Sequence, residues 1–527
     1  MPPNWAQAFA EERWWESCAV DGAHVHSGAR AMNRRNLLAA GASAALLAKA
    51  PAFAERTEDR ALRAVLDGLG TAPPEAKLER LKPFSPSTLS HGSALDLVTA
   101  RSGLRIDAEL ARRFPFGRLG HSPYSVSLVS GAWRDSHPSA AKIDADTVAI
   151  AVDAAAGTIL PTQFLKQTIA AIRVAAAAAD ETARDAMSRQ ISALEHLLPA
   201  NGEAVGVGRL RDGAGYFALL LERHTGEPVN AEAAHARFVD SWHQLHARAD
   251  ALLRRQGLTR GSVGERIIAC FRQEKWLYSD DDAGRDRAVA DMNRWLDRAR
   301  LRVPALFGAV PVVCLDVSAR RMSAQDEAAR RQGYRVVAAP GKSGVYFVDL
   351  ADIRRRPSWS LAGVVHHELL PGHMIQMPME QMADPHPIRL EYAPGFPEGW
   401  AVYAEQLAAS DGAFAHDDLA LLGHVHWLLF RLARAVVDTG IHQKGWSVAQ
   451  ALQMVRHIQG EPAYFAPFAA DIDRICLEPG IRAAEALNWL TIADRAAQSP
   501  ERTRFHRGLL EHGRRRLEHL DFGIERG

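Results

Sequence analysis

Val364-Val365-His366-His367-Glu368-Leu369-Leu370-Pro371-Gly372-His373-Met374-Ile375-Gln376 is the stretch from which the rest of this 527-residue chain is read. The apolar approach from Leu361 to Val365 predicts a buried helix that delivers two imidazoles and a carboxylate. A catalytic metal needs that combination. The nitrogens serve as neutral ligands, and one carboxylate, here Glu368, stays free to take a proton from the bound water. In the usual His-Glu-x-x-His pattern the histidines stand four apart and share one helical face. Here His367 and His373 are six apart, about 600° of an unbroken helix, which would send the rings to different faces. Pro371-Gly372 lies between them. Proline removes a helical hydrogen bond and glycine accepts backbone angles other residues avoid. The helix is therefore predicted to kink or end there, letting His373 swing back toward the ion. His366 points about 100° away from His367 on a helix. It is expected to support the site, and exchanging it with His367 is the main alternative ligand set.

A third ligand is predicted downstream, in Pro394-Gly395-Phe396-Pro397-Glu398-Gly399-Trp400-Ala401-Val402-Tyr403-Ala404-Glu405. Pro397 suits the first turn of a helix. Glu398 and Glu405, seven apart, share its face. Glu398 is the candidate ligand. Glu405 either orients a ligand histidine or is an ordinary surface charge.

The composition excludes several classes. With 63 Lys and Arg against 62 Asp and Glu the net charge is +1, so no basic excess points to nucleic acid or a membrane surface. The chain is 47% hydrophobic and 24% charged, an ordinary globular balance with room for a large core. Its four cysteines, Cys18, Cys270, Cys314 and Cys476, form no Cys-x-x-Cys pair, so neither a cysteine zinc site nor a disulfide framework is expected. Near the N-terminus, Arg34-Arg35 precedes an apolar run from Leu37 to Leu47 and then Ala52-Phe53-Ala54. This pattern is that of a twin-arginine export signal with a small-x-small cleavage site. The run is too short to span a membrane. The expected division is a leader or upstream misread at 1–31 with Met32 as the start, a signal at 32–54, a helical lobe at 55–300 and a metal-binding lobe at 301–527. The mature protein would be periplasmic or secreted, handled by the twin-arginine machinery, without stable membrane insertion.

Residues 55–300 carry helical periodicity almost throughout, alanine-rich between Ala140 and Leu198, with Ile169, Ile172, Ile191 and Leu194 spaced for a packed face. The period then changes. Val310 to Val317 and Gly344-Val345-Tyr346-Phe347-Val348-Asp349-Leu350 are predicted strands. The second, carrying Tyr346, is either a structural strand or an edge strand that pairs with an extended substrate. Further on, a helix is predicted from Leu419 to Ile441, with Arg434 and Asp438 at a pairable spacing. Arg434 is read as Asp438's structural partner, or else as a binder of a substrate carboxylate. Residues 498–527 are expected to cap the outside.

Three motifs in order, His-Glu-x-x-Pro-Gly-His from His367, Glu-Gly-Trp-Ala-x-Tyr-x-Glu from Glu398, and Val437-Asp438-Thr439-Gly440-Ile441-His442-x-Lys444-Gly445-Trp446, resemble the bacterial family catalogued as domain of unknown function 885. Weaker similarity runs from about Val65 to Arg495. That family is regarded as one of zinc metallopeptidases, distantly similar to thermolysin-like and oligopeptidase-like clans. The resemblance implies a mainly α, large helical zincin-like fold with a small β element next to the metal helix. It also makes His442 a candidate to stabilise the oxyanion of a tetrahedral intermediate, against a structural reading as a histidine at a helix C-terminus. One departure stands out. Family members usually carry tyrosine where Glu485 stands, and Tyr403 or Tyr464 would have to replace it if it contacts substrate.

The expected chemistry is hydrolysis assisted by one Zn2+ per chain, held by His367, His373 and Glu398, with Glu368 as general base. Iron or manganese in place of zinc stays open, although this donor set suits zinc best. The expected substrate is a peptide or a small non-peptide amide. A catalytically silent periplasmic binding protein is the alternative from another class. A structural reading of the core motif leaves Glu368 buried between histidines without a partner, which is costly.

Overall fold

The computed structural model describes residues 56–116, 122–198, 204–462 and 467–523. The expected leader and export signal, Cys18 and Tyr464 lie outside the described residues. In chain order the helices are α1 Thr57–Asp67, α2 Pro74–Leu81, α3 His91–Arg113, α4 Ala140–Ala155, α5 Thr162–Ala178, α6 Glu181–Glu195, α7 Gly213–Thr225, α8 Ala231–Arg255, α9 Val263–Phe271 and α10 Asp282–Phe307. A small sheet follows, of β1 Val317–Arg321, β2 Tyr334–Val336 and β3 Gly344–Val348, with the short α11 Ala324–Ala328 between its first two strands. Then come α12 Leu361–Glu368, α13 His373–Ala383, α14 Pro387–Tyr392, α15 Phe396–Ser410, α16 Asp418–His442, α17 Val448–Gln459, α18 Phe468–Leu477, α19 Ile481–Gln498 and α20 Arg502–Leu510. The chain is thus mainly helical with a small β element just before the helix that carries His367.

Several boundaries follow from local chemistry. The Asp180, Asn230 and Asp281 side chains accept the first free N–H groups of α6, α8 and α10. Ser262 with Glu265 and Ser447 with Gln450 form reciprocal capping boxes at α9 and α17. Gly226, at φ 101°, ends α7 in a conformation that favours glycine.

The centre of the molecule is α16. It is long and apolar enough to cross a membrane, yet 94% of its most apolar 18-residue stretch is buried inside the molecule. Packed against it are α8, α12, α17, α18 and α19. The main hydrophobic cluster runs from Ile106 to Leu520. The expected boundary near residue 300 falls inside α10, and this core is continuous across it.

Three expectations need correction. The run Val310 to Val317 is not one strand. Pro311, which has no N–H to donate to a ladder, precedes a 3-10 turn at Val312–Leu315, and β1 begins only at Val317. The strand β3 is not an edge strand. The sheet order is β1-β3-β2, with β1 parallel and β2 antiparallel to β3, so both of its sides are already paired. Tyr346 is buried opposite Arg335 of β2 and Ala319 of β1, and main-chain pairing of a substrate with its strand is closed off. The C-terminal segment does not merely cap the outside. Arg514, Arg515 and Arg516 are buried, Arg514 makes two side-chain hydrogen bonds to Glu380 of α13, and Arg516 donates to the Arg223 carbonyl of α7.

Candidate metal centre

The helix α12 ends at Glu368, and α13 begins at His373. Between them the chain turns so tightly that a Cβ on Gly372 would lie 1.8 Å from the His367 carbonyl oxygen, so only glycine fits. The turn is held from outside by Trp400 of α15, whose indole Nε1 donates to the Gly372 carbonyl at 3.4 Å. It brings the His367 and His373 rings to 5.0 Å, perpendicular to one another. The expected swing of His373 back toward His367 is therefore present.

The face of α15 that carries Glu398 lies opposite. Glu398 places Oε2 3.4 Å from His367 Nε2 and Oε1 3.4 Å from His373 Nε2. One donor atom from each of His367, His373 and Glu398 lies within 4.8 Å of the others. Gly399 lets α15 settle this deeply, because a Cβ there would stand 2.3 Å from the Asn488 side chain of α19.

Glu405, two turns along α15 from Glu398, is fully buried and takes a hydrogen bond from His367 Nδ1 at 2.8 Å. Its other oxygen lies 3.4 Å from His424 Nδ1 on α16. Glu405 thus orients the His367 ring and is no surface charge. Burial and Arg431 act against a charge on the His367 ring, and the Glu398 and Glu405 carboxylates act for it, raising its pKa. A proton on Nε2 would nevertheless face the Arg431 N–H at 3.0 Å, so the geometry holds the neutral ring, with its proton on Nδ1 and its lone pair toward Glu398. The Trp427 indole stacks on that ring at 5.8 Å.

Burial, with Arg335 nearby, pushes His373 down to about 4, so it is neutral at ordinary pH. Neither of its ring nitrogens has a hydrogen-bond partner among the described residues. Burial raises Glu398, but Arg431 and the two imidazoles outweigh it and hold this carboxyl well below the usual range. Two neutral imidazoles and an ionised carboxylate, buried, convergent and short of hydrogen bonds at His373, fit a tetrahedral zinc site with a fourth position open.

His366 is not part of this donor group. Its Nδ1 pairs with the Leu370 carbonyl at 2.9 Å and its ring packs on Phe414. Burial pushes it down to about 4. Two residues that the sequence did not single out complete the site. Arg335 of β2 forms an ion pair with Glu368, both side chains nearly sealed at 5% and 6% exposure. Arg431 of α16 places Nη1 2.9 Å from Glu398 Oε2.

The third motif does not reach the centre. His442 accepts the Val207 N–H on Nδ1 at 3.1 Å and donates from Nε2 to the Ile475 carbonyl at 2.9 Å. Both nitrogens are spent on backbone, and the expected oxyanion role is excluded. Asp438 does not pair with Arg434. It accepts the backbone N–H groups of Gly480 and Ala483, at 2.9 Å each, and so caps α19. Arg434 instead meets Asp471 at 3.2 Å and Glu485 at 3.6 Å. Gly440 lies under the Trp446 ring, 2.1 Å from where its Cβ would be. The motif is thus a clasp joining α16 to its neighbours. The Tyr403 hydroxyl is engaged with His506 Nε2 at 2.7 Å and does not stand in for the missing tyrosine.

No curated protein matches the chain in sequence. Among solved structures it is similar to a candidate lipoprotein of Colwellia psychrerythraea, with a TM-score of 0.67 at 20% identity over 89% of this chain and 95% of that one. It is also similar to a candidate lipoprotein of unknown function from Shewanella oneidensis, with a TM-score of 0.65 at 14% identity over 89% and 92% of the two chains. At these identities the likeness is one of fold. The model of the family described as bacterial protein of unknown function, DUF885, matches residues 126–522, a span that takes in all three motifs, and the chain belongs to that family.

Proposed function

We propose that the protein is an exported zinc-dependent hydrolase, a metallopeptidase of zincin-like design that cleaves peptide bonds. The observation that carries this reading is the convergence of His367, His373 and Glu398 within 4.8 Å, with Glu368 beside them on the last turn of α12. His367 and His373 would hold the ion through ring nitrogens and Glu398 through a carboxylate oxygen. Zinc supplies Lewis acidity there, lowering the pKa of a bound water toward about 7 and polarising the carbonyl under attack. Glu368 takes the proton released on attack and delivers it to the leaving nitrogen. Arg335 fixes the orientation of the Glu368 carboxylate, and Glu405 fixes the tautomer of His367.

Two features favour a short substrate. The sheet edge next to Glu368 is the three-residue β2, too short to align a long peptide, and the centre is almost wholly buried. They equally support a second reading, hydrolysis of a small non-peptide amide at the same site. Export is supported by the Arg34-Arg35 segment and by fold neighbours described as candidate lipoproteins.

The test is Glu368→Gln. It should retain zinc and lose turnover of a short-peptide library by about 10³-fold or more. Full activity in this variant would remove Glu368 from the mechanism and the proposal with it.

A further inference from the structure

Two arginines reach the metal centre from two different elements. Arg335 comes from β2 and touches Glu368, and Arg431 comes from α16 and touches Glu398 and His367. Both are buried, with side chains 5% and 7% exposed. The Arg431 guanidinium lies over the Phe430 and Trp427 rings, 5.2 and 5.7 Å from their centres, and its Nε has no hydrogen-bond partner among the described residues. An arginine so buried and so incompletely bonded is costly unless a further anion completes it.

The charge balance points the same way. Two carboxylates, Glu368 and Glu398, pair with Arg335 and Arg431. A dication brought beside these two ion pairs adds positive charge at the site. The lone pair of His367 Nε2 serves either a metal or the Arg431 N–H, not both. A bound metal therefore frees one guanidinium N–H at the place where substrate must sit. Arg434, one turn along α16, offers a contrast. It lies in a closed cluster where Arg434, Arg474 and Arg482 meet Asp471, Glu478 and Glu485. That cluster is neutral in itself. Glu485, in place of the family's usual tyrosine, is one of the groups that engage Arg434 and leave Arg431 as the cation directed at the centre.

We infer that Arg431 and Arg335 form a clamp for a carboxylate carried on the leaving side of the scissile amide, so that the substrate class is acyl amino acids and short peptides cut next to an anionic group. The inference rests on the metal-hydrolase reading and narrows it. Planar guanidiniums suit this task because they meet a carboxylate with paired N–H donors.

The test uses the full-length, zinc-loaded protein and calorimetry rather than turnover. The probes are 2-benzylsuccinate, which can give one carboxylate to the metal and the other to the clamp, and 3-phenylpropanoate, which has one carboxylate. The wild type should bind the dicarboxylate about tenfold or more tightly than the monocarboxylate, the scale of a charge-assisted hydrogen bond. Arg431→Gln should shrink that gap to within about twofold at unchanged zinc content. A gap absent from the wild type, or intact in a zinc-replete Arg431→Gln, overturns the clamp while leaving the metal centre standing. If Arg431→Gln loses zinc or fails to fold, Arg335→Gln, on another element, carries the same comparison, and an unchanged gap there also overturns it.

Competition against 2-benzylsuccinate by three tripeptides locates the carboxylate: one with a free C-terminus, its C-terminal amide, and the amide with a terminal glutamate side chain. Displacement by the first alone identifies the terminal carboxylate, and displacement by the third as well identifies a side-chain acid. Equal displacement by the plain amide overturns the clamp. A wild type that takes up no zinc refutes the metal-hydrolase reading itself, and the clamp falls with it.

Discussion

His367 shows how neighbours fix one ring's orientation. Its Nδ1–H is committed to Glu405, so Nε2 is the atom left to face Glu398. Glu405→Gln keeps the shape but removes the charge that orients and polarises the ring. Zinc affinity, measured by competition with a chelating dye, should fall about 10- to 100-fold with the fold intact. Residue types and spacing made His367, His373, Glu368 and Glu398 readable in the sequence, because few other arrangements place two imidazoles and two acids in apolar helices. Arg431 left a weaker trace, a single cation within Trp427-Leu428-Leu429-Phe430-Arg431-Leu432. Such a charge must find a buried partner, but the partner, Glu398, is on another helix. Arg335 left none, since it comes from a three-residue strand 33 positions before Glu368. His442 was misplaced for a related reason. A buried histidine bridging two backbone groups, Val207 and Ile475, has the same sequence signature as one that faces a substrate.

At the level of elements, the break between α12 and α13 was expected from Pro371-Gly372, and the close approach at Gly372 gives the reason for the glycine. A methyl group there would collide with the His367 carbonyl. Gly372→Ala should therefore separate His373 from His367 and abolish stoichiometric zinc binding, while far-UV circular dichroism stays that of a helical protein. The pairing of β3 on both sides was not readable, because strand order depends on chain segments that periodicity does not order. The third motif serves the joints between helices, and Asp438 gives that role a pH signature. Burial, against the hydrogen bonds from Ala483 and Gly480 and the charge of Arg482, raises Asp438 from its ordinary 3.8 to about 7, with His442 Nε2 3.8 Å away. A carboxyl raised on folding binds its proton more tightly in the native state. Its stabilising contribution is complete below the unfolded value and is lost as pH rises through the folded one. Asp438→Asn has no such dependence. The melting-temperature deficit of this variant at pH 5 should narrow by about 2 °C or more at pH 8, and a deficit that grows instead would contradict the assignment.

For the molecule as a whole, the helical class was evident from periodicity, and so was a helix from Leu419 to Ile441. The burial of that helix, α16, as the core was not read from the sequence. The continuity of the core across residue 300 was not evident. It arises from α8 packing along α16 and from buried pairs such as Tyr392 with Asp107, contacts between segments far apart in the chain. These long-range contacts hold α12, α13, α15 and α16 in place, so that four side chains from different segments meet at one point. The account turns on whether that point binds a metal. The most direct measurement is zinc content by inductively coupled plasma mass spectrometry on the purified protein and on His373→Ala, after zinc addition and desalting. The account predicts about one zinc per chain in the wild type and almost none in the folded variant. A well-folded wild type without zinc would contradict it and leave His367, His373 and Glu398 as a buried polar network of structural purpose.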